Sequence, residues 1–233
     1  MSVPAHRTAV NAMLERGSHR PAWRPLLAAG VLCAMLGLAP AAAGDPVTIL
    51  AFGDSLISGF GLAEADGIPA QLQRRLADDG IAAEVVNGGV AGDTSAGGLA
   101  RLDWTLGDGT RIVILEFGAN DGLRGLDPAA TEANLDAMLT ELRSRKIAVL
   151  LSGMRAPRNL GPDYATAFDS IYPQLAAKHG VTLDPFFLEG VALDPDLNQP
   201  DGFHPNAAGA AVIAHRLAPV LERMIAGLGV VGG

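Results

Sequence analysis

Short apolar runs that each end in turn residues recur along this chain and constrain its fold more than any other feature. The first run, Ile49–Phe52, stops at a glycine, an acid and a serine, Gly53-Asp54-Ser55. Apolar runs of four to eight residues closed by a turn signal are typical of buried strands. Similar runs predict four further strands, over residues 81–86, 111–117, 147–151 and 181–183.

Helical patterns separate these strands. Ile68, Leu72 and Leu76 recur at fourfold spacing before Gly80, a common helix stop. The same reasoning predicts helices through residues 99–106, from 128 to 142, from 164 to 178 with a kink at Pro173, and from 206 to 225. The proline-rich residues 184–203 are expected to form a loop. Strands that alternate with helices predict an α/β domain with a mainly parallel five-stranded sheet covered on both faces.

The first 43 residues have the pattern of a targeting segment. Four arginines precede an apolar stretch over residues 26–38, and Ala41–Ala43 match a small-residue cleavage site. We therefore predict a secretory signal peptide over residues 1–43, a mature domain over residues 44–233, and a periplasmic or secreted location. Three alternatives stay open: a membrane anchor, a lipoprotein acylated at Cys33, and a translation start at Met13.

The charge balance of the mature domain excludes some partners. Without residues 1–43 the chain keeps 13 basic and 24 acidic side chains, a net charge of −11. Nucleic-acid binding needs a basic surface, and anionic membranes attract basic segments. We therefore expect neither a nucleic-acid partner nor stable membrane insertion, whereas the oligomeric state stays open.

The cysteine and histidine content limits the chemistry further. Cys33 is the only cysteine, so the mature domain cannot form an internal disulfide and must be stabilised by its core. After residue 43 the histidines are His179, His204 and His215, which are scattered along the chain. No tight cluster of carboxylates accompanies them, so the sequence predicts no metal site, and no cofactor is expected.

Ser55 is the strongest candidate nucleophile, because the first strand delivers it to the sheet edge where open α/β sheets place their sites. A serine hydroxyl needs a base, and His204 lies three residues after Asp201 in one loop, where a carboxylate could orient the imidazole. His179 is expected to be solvated and His215 to have a surface role. Ser95 is a rival nucleophile, but its context favours a helix cap.

An acyl-transfer site also needs donors that stabilise an oxyanion. Backbone N–H groups near Ser55 and at Gly92 are candidates, since glycine allows close approach. The side-chain amide of Asn120 could add a third donor, although Gly118-Ala119-Asn120-Asp121 is also an ordinary turn sequence.

Four blocks of this chain together resemble the SGNH hydrolases, also called the GDSL family. They are Gly53-Asp54-Ser55-Leu56, Gly92-Asp93-Thr94, Gly118-Ala119-Asn120-Asp121 and Asp201-Gly202-Phe203-His204-Pro205, in family order. The resemblance implies a flavodoxin-like three-layer α/β/α sandwich. It further implies that Ser55 is the nucleophile, His204 the base and Asp201 its orienting partner.

The same resemblance implies where a substrate would bind. Its oxyanion hole corresponds to the Ser55 N–H, the Gly92 N–H and the Asn120 side chain, so that Gly92 and Asn120 also contact substrate. Ala156 and Pro157 correspond to the wall of the acyl pocket.

The resemblance implies a serine hydrolase that cleaves acyl esters or thioesters through an acyl-serine intermediate. Small acyl esters or lipids are the expected substrates, as in the thioesterase, lysophospholipase and arylesterase group of this family. Two alternatives stay open: a carbohydrate O-acetyl esterase or acyltransferase, which uses the same catalytic parts, and a lipid-binding carrier that kept the fold without the activity.

Overall fold

Residues 45–230 are described by the computed structural model of the chain, and they form one α/β domain. Five parallel strands make a single sheet with the order β2-β1-β3-β4-β5. The strands are β1 (Val47–Gly53), β2 (Ala83–Gly89), β3 (Thr110–Glu116), β4 (Ala148–Ser152) and β5 (Thr182–Asp184). The predicted fold class is confirmed, and this strand order is that of flavodoxin-like folds.

Helices connect the strands and cover both faces of the sheet. They are α1 (Ser55–Ser58), α2 (Ile68–Asp78), α3 (Ser95–Thr105), α4 (Ala119–Leu123), α5 (Pro128–Ser144), α6 (Pro162–Asp169), α7 (Ile171–His179) and α8 (Ala207–Val230). Parallel strands are joined by right-handed crossovers. The chain adds β2 on one side of β1 and then β3 to β5 on the other side, so the helices that follow β2 cover the opposite face from α2. Accordingly α2 packs against α8, whereas α5 packs against α3 and α7.

The second strand extends three residues beyond its predicted end. Asn87, Gly88 and Gly89 were expected to begin a loop, but they pair with Ala51, Phe52 and Gly53 of β1. That prediction was wrong because glycine here serves close packing rather than a turn. A Cβ at Gly89 would lie 2.2 Å from the backbone nitrogen of Ser58, so only glycine lets the strand run past α1.

The helix expected over residues 164–178 is two helices rather than one kinked helix. The break falls at Ser170, between α6 and α7, and Pro173 becomes the third residue of α7. Proline has no N–H to donate to the carbonyl four residues earlier, here that of Asp169, so the helix is interrupted one turn before Pro173 rather than at it. The long loop predicted before the last helix is confirmed, since β5 ends at Asp184 and α8 begins at Ala207.

A buried arginine ties the carboxyl ends of the first two strands together. Arg101 of α3 donates from Nη2 to the Gly53 carbonyl and from Nη1 to the Gly88 carbonyl, each at 2.8 Å. Its Nε pairs with Asp93 at 2.6 Å, and its guanidinium lies 4.3 Å from the centroid of the Phe52 ring. A buried charge is tolerated only when it is paired and hydrogen-bonded, and Arg101 meets both conditions. These contacts hold the backbone at the ends of β1 and β2, directly before the turn that carries Ser55.

The described residues contain no helix that is both long enough and apolar enough to span a membrane. The signal peptide predicted over residues 1–43, and Cys33 within it, lie outside the described residues.

Candidate active site

Ser55 lies at a sharp junction between a strand and a short helix. β1 ends at Gly53, Asp54 caps α1, and Ser55 is the first residue of that helix. Asp54 Oδ1 accepts a hydrogen bond from the Leu56 N–H at 3.0 Å, which satisfies one of the free amides at the helix start. The sequence Gly-Asp-Ser therefore places a half-buried serine hydroxyl at the carboxyl edge of the sheet.

A hydrogen-bonded chain connects Ser55 to a histidine and a carboxylate from the loop before α8. Ser55 Oγ lies 2.9 Å from His204 Nε2, and His204 Nδ1 lies 2.7 Å from Asp201 Oδ2. A carboxylate only accepts hydrogen bonds, so Nδ1 carries the ring proton and Nε2 of the neutral imidazole accepts from the serine hydroxyl. The structure thus brings together all three residues that the sequence singled out for nucleophilic chemistry.

The loop that carries this pair is held by the carboxylate itself. Asp201 Oδ1 accepts from the N–H of Phe203 at 2.9 Å and from the N–H of His204 at 3.1 Å. Gly202 between them has a φ of +74°, a conformation that glycine adopts without strain. The Phe203 N–H, the His204 ring and the His204 N–H lower the pKa of Asp201 to about 2. Asp201 is therefore ionised at neutral pH, as a partner of an imidazolium must be.

The candidate oxyanion donors come from the three segments that follow β1, β2 and β3 at this edge. Ser55 contributes the backbone N–H at the start of α1, where amides have no intrahelical acceptor. Asn120, in α4, donates from Nδ2 to Asp54 Oδ2 at 3.0 Å, which leaves its second N–H for another acceptor. Gly92 lies in the turn after β2 with a φ of +83°, and its carbonyl accepts from Arg124 Nη2 at 2.8 Å.

A cavity of about 270 Å³ opens directly beside the serine. Ser55, Asn120 and His204 line its polar side. The rest of the lining is mostly apolar and comes from Leu56, Ala119, Leu123, Met154, Ala156, Pro157, Leu188 and Phe203, with Arg155 as the one cationic side chain. Ala156 and Pro157 therefore lie where the sequence expected a pocket wall, whereas Gly92 is not among the residues that line this cavity.

Two sequence expectations about other residues were wrong. Ser95 does not cap a helix, since Thr94 occupies that position and accepts from the Gly97 N–H. Ser95 is instead buried, and its hydroxyl donates to Asp121 Oδ1 at 2.5 Å and accepts from Asn134 Nδ2 at 2.9 Å. Both contacts occupy the hydroxyl, and Ser95 is fully buried, so a substrate cannot reach it.

The other correction concerns His179, which was expected to be solvated. Its side chain is only 6 % exposed, and its Nε2 lies 2.6 Å from Asp136 Oδ1. Asp136 also binds Lys178 at 2.7 Å, and these two partners lower the pKa of Asp136. A tertiary hydrogen bond to Asp136 therefore buries His179 at the end of its helix, while His215 is exposed as expected.

Sequence reasoning missed a polar residue beneath the site. Glu116 ends β3 directly after the apolar run Ile112–Leu115, is fully buried, and its Oε2 accepts from the Asp54 N–H at 3.3 Å. An acid at the end of an apolar run such as Ile112–Leu115 could have indicated a buried polar contact, because glutamate is rarely buried without a partner.

Comparison with known proteins identifies the family. Residues 51–212 match the model of the GDSL-like lipase/acylhydrolase family. The chain is 42 % identical over 203 residues to the esterase TesA of Pseudomonas aeruginosa, a match that covers 87 % of this chain and all of that protein. It is 40 % identical over 186 residues to thioesterase 1/protease 1/lysophospholipase L1 of Escherichia coli, covering 79 % of this chain and 87 % of that one.

A solved structure agrees with the sequence matches. The crystal structure of AlinE4, an esterase of the SGNH-hydrolase family, superposes with a TM-score of 0.66 at 46 % sequence identity. That alignment covers 78 % of this chain and 97 % of AlinE4. The chain described here therefore belongs to the SGNH family of ester hydrolases, the GDSL-like lipases and acylhydrolases.

Proposed function

We propose that this hydrolase transfers the acyl group of an ester or thioester to Ser55 and then to water. The observation that carries the proposal is the continuous chain from Ser55 Oγ through His204 to Asp201, with contacts of 2.9 and 2.7 Å. A serine within hydrogen-bond reach of a base that is oriented by a third group has the geometry of an activated nucleophile.

In the first step Ser55 Oγ attacks the acyl carbon while its proton moves to His204 Nε2. The carbonyl electrons move to oxygen, and the resulting oxyanion binds the Ser55 N–H, the Gly92 N–H and the free N–H of Asn120. Imidazolium at His204 is stabilised by the ionised Asp201 and returns its proton to the departing alcohol or thiol. Water repeats the sequence on the acyl-enzyme, with His204 as base, and releases the carboxylic acid.

The cavity supports acyl groups of short to medium length as substrates. Its lining beside Ser55 is mostly apolar, and Ala156 and Pro157 form part of the wall. Burial of a methylene group is worth roughly 0.8 kcal/mol, so each additional carbon that fits should strengthen binding. Relatives with the names esterase, thioesterase and lysophospholipase are consistent with this class, and a carbohydrate O-acetyl esterase is the second candidate.

A panel of purified substrates tests this choice. We expect kcat/KM on p-nitrophenyl esters to rise from acetyl to medium acyl chains, and an acyl thioester and a lysophospholipid to be hydrolysed as well. Ser55→Ala should abolish all of these activities. A preference for O-acetylated sugars over every other substrate would favour the carbohydrate esterase, and binding of lipid without turnover would favour a carrier.

The Asn120 side chain is expected to act in the transition state rather than in substrate binding. Asn120→Ala should lower kcat by about 10²–10³, as when one donor is removed from an oxyanion hole, with little change in KM. Asn120→Asp should be at least as damaging, because an ionised carboxylate offers no donor and repels the oxyanion.

Steady-state kinetics and melting curves on both Asn120 variants decide between this role and a purely structural one. If Asn120 only shapes its turn, both variants should have a lower melting temperature, and Asn120→Asp should keep most of the wild-type activity. A KM effect larger than the kcat effect would also remove Asn120 from the oxyanion hole.

Residues 1–43 are proposed to export the enzyme and to be removed, which gives a mature protein in the periplasm or outside the cell. Ala41 and Ala43 supply the small side chains of a cleavage site. Protein exported from a bacterial host should begin at or near Gly44 in N-terminal sequencing and contain no thiol, and Ala43→Phe should block cleavage. An exported protein that retains Cys33, above all in acylated form, would contradict the proposal.

A further inference from the structure

Two buried carboxyl groups lie side by side next to the Ser55 turn, and the acyl-transfer steps above use neither. Asp54 follows β1 and Glu116 ends the adjacent strand β3, and both are fully buried. Glu116 Oε2 accepts a hydrogen bond from the Asp54 N–H at 3.3 Å, which brings the two carboxyl groups close together. Two carboxyl groups that are buried this close would repel each other if both were ionised, so the pair holds one proton and one negative charge.

The surrounding donors determine which carboxyl carries the charge. Asp54 accepts from the Leu56 N–H on Oδ1 and from Asn120 Nδ2 on Oδ2, both at 3.0 Å. Glu116 accepts only from the Asp54 N–H, and its Oε1 has no hydrogen-bond partner within residues 45–230. A buried carboxylate needs donors to remain ionised, so the charge resides on Asp54 and the proton on Glu116.

The pKa values of the two groups agree with this assignment. Burial, reinforced by the charge of Asp54, raises the pKa of Glu116 well above its ordinary range. Burial also raises the pKa of Asp54, but its hydrogen bonds from the Leu56 N–H and the Asn120 amide oppose that effect and leave the pKa at about 6. At neutral pH Asp54 is therefore mostly ionised and Glu116 is protonated.

An ionised Asp54 controls which way the Asn120 amide points. Because a carboxylate only accepts hydrogen bonds, Asn120 must turn its nitrogen, and not its oxygen, toward Asp54. The second N–H on that nitrogen is then available in the cavity, which Asn120 lines together with Ser55. A protonated Asp54 could instead donate to the Asn120 oxygen, and the amide would lose its fixed orientation.

We propose that Glu116 is a positioning residue of the active site. As a neutral acid it donates to the Asp54 carboxylate, and that carboxylate aims the Asn120 amide at the substrate oxygen. The Glu116 carboxyl lies directly against the backbone of Gly53, since a Cβ at Gly53 would be only 2.5 Å from Glu116 Oε2. This close packing leaves the Glu116 side chain little freedom to move away from Asp54. The proposal rests on the proposed function, because it assigns Glu116 an effect that passes through the oxyanion donor Asn120.

A double-mutant cycle between Glu116 and Asn120 tests this route. Glu116→Met fills much the same volume but cannot donate, and we expect it to lower kcat by at least about tenfold with little change in KM. That is less than the about 10²–10³ expected for loss of the donor itself, because a misoriented amide still visits the right geometry. In the Asn120→Ala background Glu116→Met should lower kcat by less than about twofold.

Two further variants distinguish a role of Glu116 in positioning Asn120 from a role that any buried polar residue could fill. Glu116→Gln keeps a donor toward Asp54 and an acceptor toward its N–H, so kcat should stay within about threefold of the wild type. Ser152, which pairs in register with Glu116 on β4 and is also fully buried, provides the control. Ser152→Ala should leave kcat unchanged in both backgrounds.

The outcomes distinguish this proposal from the proposed function. Equal kcat losses from Glu116→Met with and without Asn120 would overturn the positioning role while leaving the Ser55 mechanism intact. An inactive but folded Glu116→Gln would overturn it too, since it would mean that Glu116 works as an anion. A wild-type enzyme without Ser55-dependent turnover would refute the function itself. If Glu116→Met does not fold, Asp54→Asn takes its place in the cycle, because Asp54 is the next member of the same chain.

Discussion

The hydrogen bond between Ser55 Oγ and His204 Nε2 joins two residues that are 149 positions apart in the sequence. Ser55 follows the first strand of the domain and His204 precedes its last helix, so this contact exists only when the whole sheet is assembled. Parallel strands place their carboxyl ends at one edge, and every group of the site lies in a segment that follows one of these strands at that edge. The chemistry is therefore a consequence of the strand order as much as of the residues themselves.

Buried charges hold the backbone of this edge in place. Arg101 binds the carbonyls of Gly53 and Gly88, which end β1 and precede the end of β2. On the other side of Gly53, the Asp54 and Glu116 pair holds the turn that leads into Ser55. An unpaired buried charge costs several kcal/mol, and both sets of groups avoid that cost by donating to or accepting from the main chain of the turn. The polar contacts that satisfy these charges thus also define the position of the nucleophile.

Much of the fold and of the candidate site could be predicted from the sequence, because both depend on local patterns. The apolar runs ended by turn residues gave five strands. Gly-Asp-Ser and Asp-x-x-His made Ser55, Asp201 and His204 the candidates for the site, and the fold brings these three side chains within hydrogen-bonding distance. The failures involve contacts between segments distant in sequence. Gly88 and Gly89 look like loop residues in the sequence, and only the fold shows that they pair with β1 and that Gly89 packs against α1. Likewise His179 looks like a solvated helix end until the fold places Asp136 beside it.

Glu116 shows the same limit at the site itself. Its place after an apolar strand marks it as unusual, but only the neighbouring strand reveals that its partner is the residue before Ser55. Likewise the Asn120 turn sequence is compatible with several roles, and the contact with Asp54 is what restricts its amide to one orientation. A sequence pattern can thus indicate that a residue is a candidate for the site, but the role of that residue depends on the groups that the fold places next to it.

The most direct test of the proposed mechanism is covalent labelling with a fluorophosphonate, which reacts with an activated serine and mimics the tetrahedral intermediate. Intact mass and peptide mapping should show one label per chain, on Ser55, and the label should be absent in Ser55→Ala and strongly slowed in His204→Ala. Ser95→Ala, in folded protein, should still be labelled. A label that maps to Ser95, or wild-type protein that hydrolyses esters without being labelled at Ser55, would contradict the assignment of Ser55 as the nucleophile.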